Sequence, residues 1–248
     1  MELGGTGAYA STVGKLLEEV SWEKAKNYRA GGRGLENVLT AEVLLGLDFL
    51  PRRAFLGEIF QSAHGALSAR NLCTDEAAAA SLHFLPGELE VQPGPGASQR
   101  VVVQPDAIIQ SPSAYVLVEA KRIRSSAFQP EQLAREYLAL LANAGGAVPV
   151  LLLLGVEPPV AVKGRGHFSV EDAIEAFLEP VLHRVGDEPG SVAELMARIP
   201  EVCCWITWRE VADCVERALQ QLVVEDPAVR ASVERIARFV TNAISWHA

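Results

Sequence analysis

Apolar residues recur along the chain with two spacings, and segments of the two kinds follow one another. Runs of aliphatic and β-branched residues are typical of strands and lie at 87–92, 101–103 with 108–109, 115–118, 147–156 and 201–208. Apolar positions three and four residues apart predict helices at 11–28, 35–47, 129–143, 169–183, 191–199, 209–222 and 227–246. This order predicts an α/β fold, a three-layer sandwich with a mixed central β-sheet.

The length of the chain, 248 residues, is enough for one full domain with additions. We expect a single domain over residues 1–248 with its core at about 34–222. The helices at 11–28 and 227–246 are then additions at the two ends. The apolar stripe of the last helix fits either the core or a surface for a partner.

Two other stretches have a less definite pattern. Residues 53–70 and 74–82 predict two helices, the second of them capped by Thr74. Two glycines within 164–167 predict a loop that carries His167. This histidine is a candidate acid or phosphate contact, although a lone histidine in a loop usually has neither role.

The segment Gln104–Lys121 predicts two strands joined by a turn around Pro112. Side chains alternate between the two faces of a strand, so Glu119 and Lys121 point to the same side. A hairpin would bring Asp106 beside them. Two carboxylates and an ammonium therefore emerge together from an otherwise apolar pair of strands.

These three groups suit metal-assisted hydrolysis of a phosphodiester. Carboxylate oxygens are ligands that Mg²⁺ prefers, and a lysine beside them can orient or deprotonate a water molecule. The simpler alternative is a surface salt bridge at a strand end, and for an isolated Glu-x-Lys it is the commoner arrangement. We expect Lys121 to be exposed in either case. The Pro-Asp dipeptide at hairpin distance favours the catalytic interpretation.

Pro105-Asp106, twelve intervening residues and then Glu119-Ala120-Lys121 resemble the PD-(D/E)XK motif of the restriction-endonuclease-like nucleases. The resemblance implies a nuclease that depends on Mg²⁺ or Mn²⁺. It implies that the carboxylates of Asp106 and Glu119 and the backbone carbonyl of Ala120 hold the metal ion. It also implies that Lys121 positions or activates the attacking water.

Two flanking segments extend the resemblance. Glu36 lies in a segment that resembles the first core helix, whose glutamate often completes the metal site; the alternative is a favourable position near the helix dipole. Gln132 lies in a segment that resembles the helix after the catalytic hairpin, where it would contact the metal or a phosphate. Some members carry Gln and Tyr four residues apart, whereas Gln132 and Tyr137 are five apart. The alternative for Gln132 is a solvated amide.

The charge of the chain limits how it can bind nucleic acid. The formal net charge is −9, and tight unaided binding to phosphates needs Lys and Arg. The positive charge that binds the phosphates could come from a local basic surface, from a homo-oligomer or from a protein partner. Arg33, Arg122 and Arg124 are the candidate phosphate contacts. Arg33 lies in a predicted glycine loop just before the helix of Glu36, and the other two follow Lys121.

The sequence predicts a cytoplasmic protein with no part in the membrane. No apolar run reaches the roughly 18 residues that a spanning helix needs, and the start of the chain does not have the pattern of a signal peptide. The spacing of the four cysteines fits no zinc ribbon, so we expect reduced, mostly buried thiols.

Two hypotheses about function follow. The first is a Mg²⁺-dependent nuclease, with DNA preferred to RNA as substrate, whose place in restriction, phage defence or DNA repair stays open. The second is a catalytically inactive subunit that keeps the fold and acts as a binding or assembly module. The acidic charge and the apolar last helix favour the second, and the intact Asp106, Glu119 and Lys121 favour the first.

Overall fold

The structure is a computed structural model that describes residues 33–92, 94, 100–121, 127–185 and 190–247, with the backbone alone for 33–36. The helix predicted at 11–28 lies outside these ranges. No helix in the described ranges is both long and apolar enough to cross a bilayer.

Helices and strands alternate through most of the described chain. The helices are α1 (Arg33–Phe49), α2 (Arg52–Ser62), α3 (Leu67–Glu76), α4 (Gln132–Asn143), α5 (Val170–Val185), α6 (Val192–Val202), α7 (Trp208–Gln221) and α8 (Pro227–His247). The strands are β1 (His64–Gly65), β2 (Ser81–Phe84), β3 (Leu89–Val91), β4 (Val101–Val103), β5 (Ala107–Gln110), β6 (Ala114–Ala120), β7 (Val148–Leu154), β8 (Val160–Val162), β9 (Gly166–Phe168) and β10 (Cys203–Ile206).

Six of these strands form a mixed sheet in the order β1-β10-β7-β6-β5-β2. Strands β10, β7 and β6 are parallel, while β5, β2 and β1 join antiparallel at the two sides. The apolar run at 147–156 contains β7, at the centre of the parallel part, and the last five residues of this strand are buried. The predicted α/β class with a mixed central sheet is therefore confirmed.

The sheet separates two hydrophobic cores. In β6, Val116 and Val118 belong to the first core, which α1, α2, α3, α7 and α8 cover. Tyr115 and Leu117 belong to the second core, which α4, α5 and α6 cover together with β3, β4 and β8. By the same alternation Glu119 projects to the side of the second core.

The last helix is part of the first core. Val233, Val240 and Ile244 are buried there, and a Cβ at Gly46 of α1 would clash with Val240. Close approach of α1 and α8 therefore requires the glycine. The stripe predicted as core or partner surface is therefore core at these three positions, whereas Val229 and Phe239 are exposed.

Four predictions about individual elements are wrong in detail. Residues 74–82 do not form a separate helix, because Thr74 lies inside α3 and Ser81 begins an edge strand of the sheet. The strand expected from 101 to 109 is divided into β4 and β5, which belong to different sheets. Pro105 lies between them and cannot donate to a strand ladder.

The other two corrections concern loops. Residues 164–167 were predicted as a loop, but β8 and β9 form an antiparallel hairpin in which His167 pairs with Ala161. The helix with Glu36 starts at Arg33, so Arg33 opens a helix and does not lie in a glycine loop.

Gly155 allows the ends of β6, β7 and α7 to meet. Its φ is +82°, and a Cβ there would clash with the Trp208 indole nitrogen and the Lys121 carbonyl oxygen. The Trp208 indole N–H donates to that carbonyl at 2.6 Å, and the Gly155 N–H donates to Ile206 O at 2.8 Å. The backbone that follows Ala120 is thus fixed from the side of the first core.

We expect Gly155→Ala to lower the free energy of unfolding by at least about 3 kcal/mol, since it adds left-handed strain and overpacks Trp208. Gly146→Ala is the matched control, because Gly146 has φ +93° and open space around its Cβ position. The control should lose only about 1–2 kcal/mol. Urea unfolding of both variants measures the difference, and equal losses would contradict the packing argument.

Candidate active site

The candidate site lies where β5 begins and β6 ends. Ala107 pairs with Val118, and continuing that register by one residue puts Asp106 opposite Glu119. Asp106 is half-buried, and its Oδ2 accepts a hydrogen bond from the Ala120 N–H at 2.7 Å. The structure therefore brings Asp106 to the Glu119-Ala120-Lys121 segment, as the hairpin pattern predicts.

Glu119 and Lys121 form a buried ion pair. The Lys121 ammonium donates to Glu119 Oε1, and only 3% of Glu119 and 7% of Lys121 is exposed. The ammonium also lies 5.0 Å from the centroid of the buried Phe128 ring. The expectation of an exposed Lys121 is therefore wrong: the strand end is covered by the second core, and the charge is held in an apolar setting.

Gln132, in the first turn of α4, links this pair to the helix. Its amide nitrogen donates to Glu119 Oε1 at 2.5 Å and to Glu136 Oε1 at 2.8 Å, and its amide oxygen accepts from the Gln129 N–H at 3.1 Å. These three bonds fix which way the amide points. Gln132 is thus brought to the site, and it is not merely a solvated amide.

Glu136 is a site residue that the sequence reasoning missed. It is 3% exposed, and its Oε2 has no hydrogen-bond partner among the described residues. Burial, and then the negative charge of Glu119, raise the pKa of Glu136 well above its usual value. Both effects favour the neutral form of the Glu136 carboxyl. The signal that was available is the four-residue spacing from Gln132, which puts both on one helix face.

Other predicted site residues are not brought together by the described structure. The Glu36 side chain is outside the described residues, and its helix packs on the first core, on the far side of the sheet from Glu119. Arg122 and Arg124 also lie outside, as does the Arg33 side chain. Tyr137 is buried in the second core, where its hydroxyl donates to Leu195 O at 2.7 Å.

The described residues contain no group of three or more His, Cys, Asp or Glu side chains arranged to hold a metal ion. The oxygen atoms that could bind a cation here are those of the Asp106 and Glu119 carboxylates and of the Ala120 carbonyl. Mg²⁺ usually keeps several waters and takes only one or two carboxylates from a protein, so such a set fits Mg²⁺ better than zinc.

Comparisons of the chain with protein-family models, with curated proteins and with solved structures gave no match. The interpretation of this site therefore rests on its own residues and their geometry.

We expect Glu119→Gln and Lys121→Met each to lower the free energy of unfolding by about 3–5 kcal/mol, because each leaves the other charge buried and unpaired. The double variant should lose less than the sum of the two, by about 1–3 kcal/mol. Urea unfolding of the four proteins measures this coupling.

The matched control is the more exposed pair Arg230–Glu234, with an N–O distance of 2.9 Å. Its coupling in the same double-mutant cycle should be below about 1 kcal/mol. Similar coupling energies for the two pairs would contradict the buried character of the first.

We expect Glu136→Gln to stabilise the protein relative to wild type increasingly as pH rises above about 4.5. A carboxyl whose pKa is raised on folding stabilises the folded protein at low pH. This stabilisation decreases once the pH rises above the pKa that the carboxyl has in the unfolded chain. The glutamine copies the neutral acid, so it has no such loss. The difference should grow by up to about 1.4 kcal/mol per pH unit.

Unfolding free energies measured from pH 4 to pH 8 test this expectation. Glu179→Gln serves as the control, because Glu179 is an exposed residue of α5. A difference between Glu136→Gln and wild type that stays constant with pH would show that Glu136 is already ionised in the folded protein.

Proposed function

We propose that the protein is a metal-dependent nuclease of the restriction-endonuclease-like type, and that DNA is its first candidate substrate. One observation carries the proposal: the Asp106 carboxylate bonds to the Ala120 N–H, next to the buried Glu119–Lys121 pair. Two hard oxygen ligands and an ammonium thereby meet at one strand end, as phosphodiester hydrolysis requires.

The donor set fits a divalent cation. Asp106 and Glu119 supply carboxylate oxygens beside the ammonium of Lys121, and carboxylate oxygens are ligands that divalent cations such as Mg²⁺ prefer. A bound Mg²⁺ or Mn²⁺ would lower the pKa of a water molecule and neutralise charge on the phosphate.

The chain's own residues then have distinct roles. Gln132 and Lys121 both donate to Glu119 Oε1, which holds the carboxylate in one orientation. Lys121 is the group that would orient the attacking water and stabilise negative charge on the phosphate. Phe128 and the second core keep bulk water away from the ammonium, which strengthens its electrostatic effect.

A second candidate, a non-catalytic binding or assembly subunit, is favoured by a different observation. Glu119 and Lys121 are almost fully buried and bond directly to each other. A pair of this kind also serves a purely structural role in many proteins. Metal binding separates the two candidates, because only the nuclease needs Asp106 and Glu119 to bind a cation.

We expect Mg²⁺ or Mn²⁺ to support cleavage of plasmid DNA, and Asp106→Asn to reduce it by at least about 100-fold, since even outer-shell changes at metal sites cost 10- to 100-fold. Asparagine still offers an oxygen to the Ala120 N–H, so the fold should persist. Gel assays with and without EDTA measure cleavage, and electron paramagnetic resonance measures bound Mn²⁺.

Asp213→Asn, at an exposed position of α7, is the matched control and should cleave like wild type. If Asp106→Asn cleaves as fast as wild type, other residues carry the activity. If the variant binds the cation as tightly as wild type, Asp106 is not a ligand and the proposed metal site is wrong. If wild type binds neither Mn²⁺ nor Mg²⁺, the second candidate replaces the first.

A further inference from the structure

A basic hairpin lies against the candidate site. Residues 163–165 join strands β8 and β9. The turn is closed by the Arg165 N–H, which donates to Val162 O at 2.9 Å. Lys163, Arg165 and His167 are all exposed at this tip. We refer to residues 160–168 as the basic hairpin.

Phe128 fixes the basic hairpin relative to the catalytic lysine. The Phe128 N–H donates to Ala161 O, and the Lys163 N–H donates to Phe128 O, both at 2.9 Å. The buried Phe128 ring lies under the Lys121 ammonium, 5.0 Å from its centroid. A single residue therefore contacts both the hairpin backbone and Lys121, so the base of the basic hairpin lies next to the candidate site.

The cations of the basic hairpin have no carboxylate partners among the described residues. Lys163 and Arg165 form no salt bridge there, and Arg165 instead lies over the Phe177 ring at 5.8 Å. Other arginines of the described chain do bind acids, as Arg184 binds Glu131 and Arg217 binds Glu58. Unpaired cations in a chain of net charge −9 are therefore available for an anion from outside.

The turn also leaves room for a ligand. Gly164 and Gly166 have φ of +72° and +96°, and a Cβ at either would meet nothing within 4 Å. The backbone is open on the side of the tip, and long Lys and Arg side chains can reach outward from it. Buried Val160 and Val162 anchor the base of the hairpin in the second core.

We propose that the basic hairpin binds the phosphate backbone of a nucleic acid, through Lys163 and Arg165, and so holds the substrate over Asp106 and Glu119. This inference rests on the proposed function, because it names how that site grips its substrate. Each phosphate contact releases counterions, so each should add about 0.9 to the magnitude of the salt slope for duplex DNA.

The test is fluorescence anisotropy of labelled duplex DNA with the full chain, titrated over a range of salt concentrations in EDTA. Replacing both Lys163 and Arg165 by Ala should reduce the magnitude of the negative slope of log K against log salt by about 1.8, since two phosphate contacts are removed. Swapping the two, Lys163→Arg with Arg165→Lys, should preserve it, because phosphate neutralisation needs the charge and not the particular side chain.

The matched control replaces Arg53 and Arg209, two exposed arginines on helices of the first core, by Ala. It removes the same charge from the far side of the sheet and should leave the slope unchanged. If both double-Ala variants lower the slope equally, general charge is responsible and the hairpin has no special role.

The remaining outcomes separate this inference from the proposed function. Metal-dependent cleavage with an unchanged slope in the hairpin variant would overturn the inference and leave the nuclease intact. A reduced slope without any cleavage would support the inference while removing the nuclease. The inference would be overturned if the wild-type protein bound neither duplex nor single-stranded DNA. It would also be overturned if the hairpin substitution lowered the affinity for a polyglutamate peptide as much as the affinity for DNA.

Discussion

The burial of the Glu119–Lys121 ion pair at the end of β6 is the constraint on which the candidate site depends. Removing two charges from water costs several kcal/mol per ion, and their attraction offsets this only when the geometry is well defined. Strand alternation puts both side chains on one face, and Trp208 holds the Lys121 carbonyl from the other. The pair is thus positioned from both sides of the sheet, and Gly155 makes that close approach feasible.

Charge balance explains why the network extends beyond the pair. The second core brings Glu119 and Glu136 close to one ammonium, and two ionised carboxylates there would repel in a low-dielectric setting. The raised pKa of Glu136 reduces this repulsion, because it favours the neutral form of that carboxyl. Gln132 can then donate to both carboxyl groups at once. The network of Glu119, Lys121, Gln132 and Glu136 is therefore held together by hydrogen bonds around one ion pair.

The parts of the fold that sequence reasoning predicted are those where the apolar pattern and the tertiary environment agree. Strands β6 and β7 and helices α7 and α8 have strong periodicity, and the structure confirms them. The separate helix predicted at 74–82 is wrong at its end, because alanine favours helix locally while pairing of Ser81 and Leu82 with β5 brings the chain into the sheet.

Only the part of the candidate site whose arrangement follows from strand geometry could be predicted from the sequence. Alternation in β6 and a tight turn were sufficient to bring Asp106, Glu119 and Lys121 together. Glu136 was missed because periodicity marks apolar positions, and a glutamate is ordinarily solvated. Its burial depends on which helix covers the strand end, and that packing has no local signal. The short strands of the basic hairpin were missed for a related reason, since their glycines resemble those of a loop.

The acidic net charge does not argue against a nucleic-acid substrate once the cations are located. Screening limits interactions between exposed charges to about 8–10 Å, so a phosphate responds to its immediate surroundings more than to the total of −9. In the described chain the lysines are Lys121 and Lys163, one buried beside Glu119 and the other on the basic hairpin. Phe128 links the two. The two described lysines therefore lie on the same side of the sheet as the candidate site, so a phosphate bound there would respond to them more strongly than to acidic groups beyond the screening length.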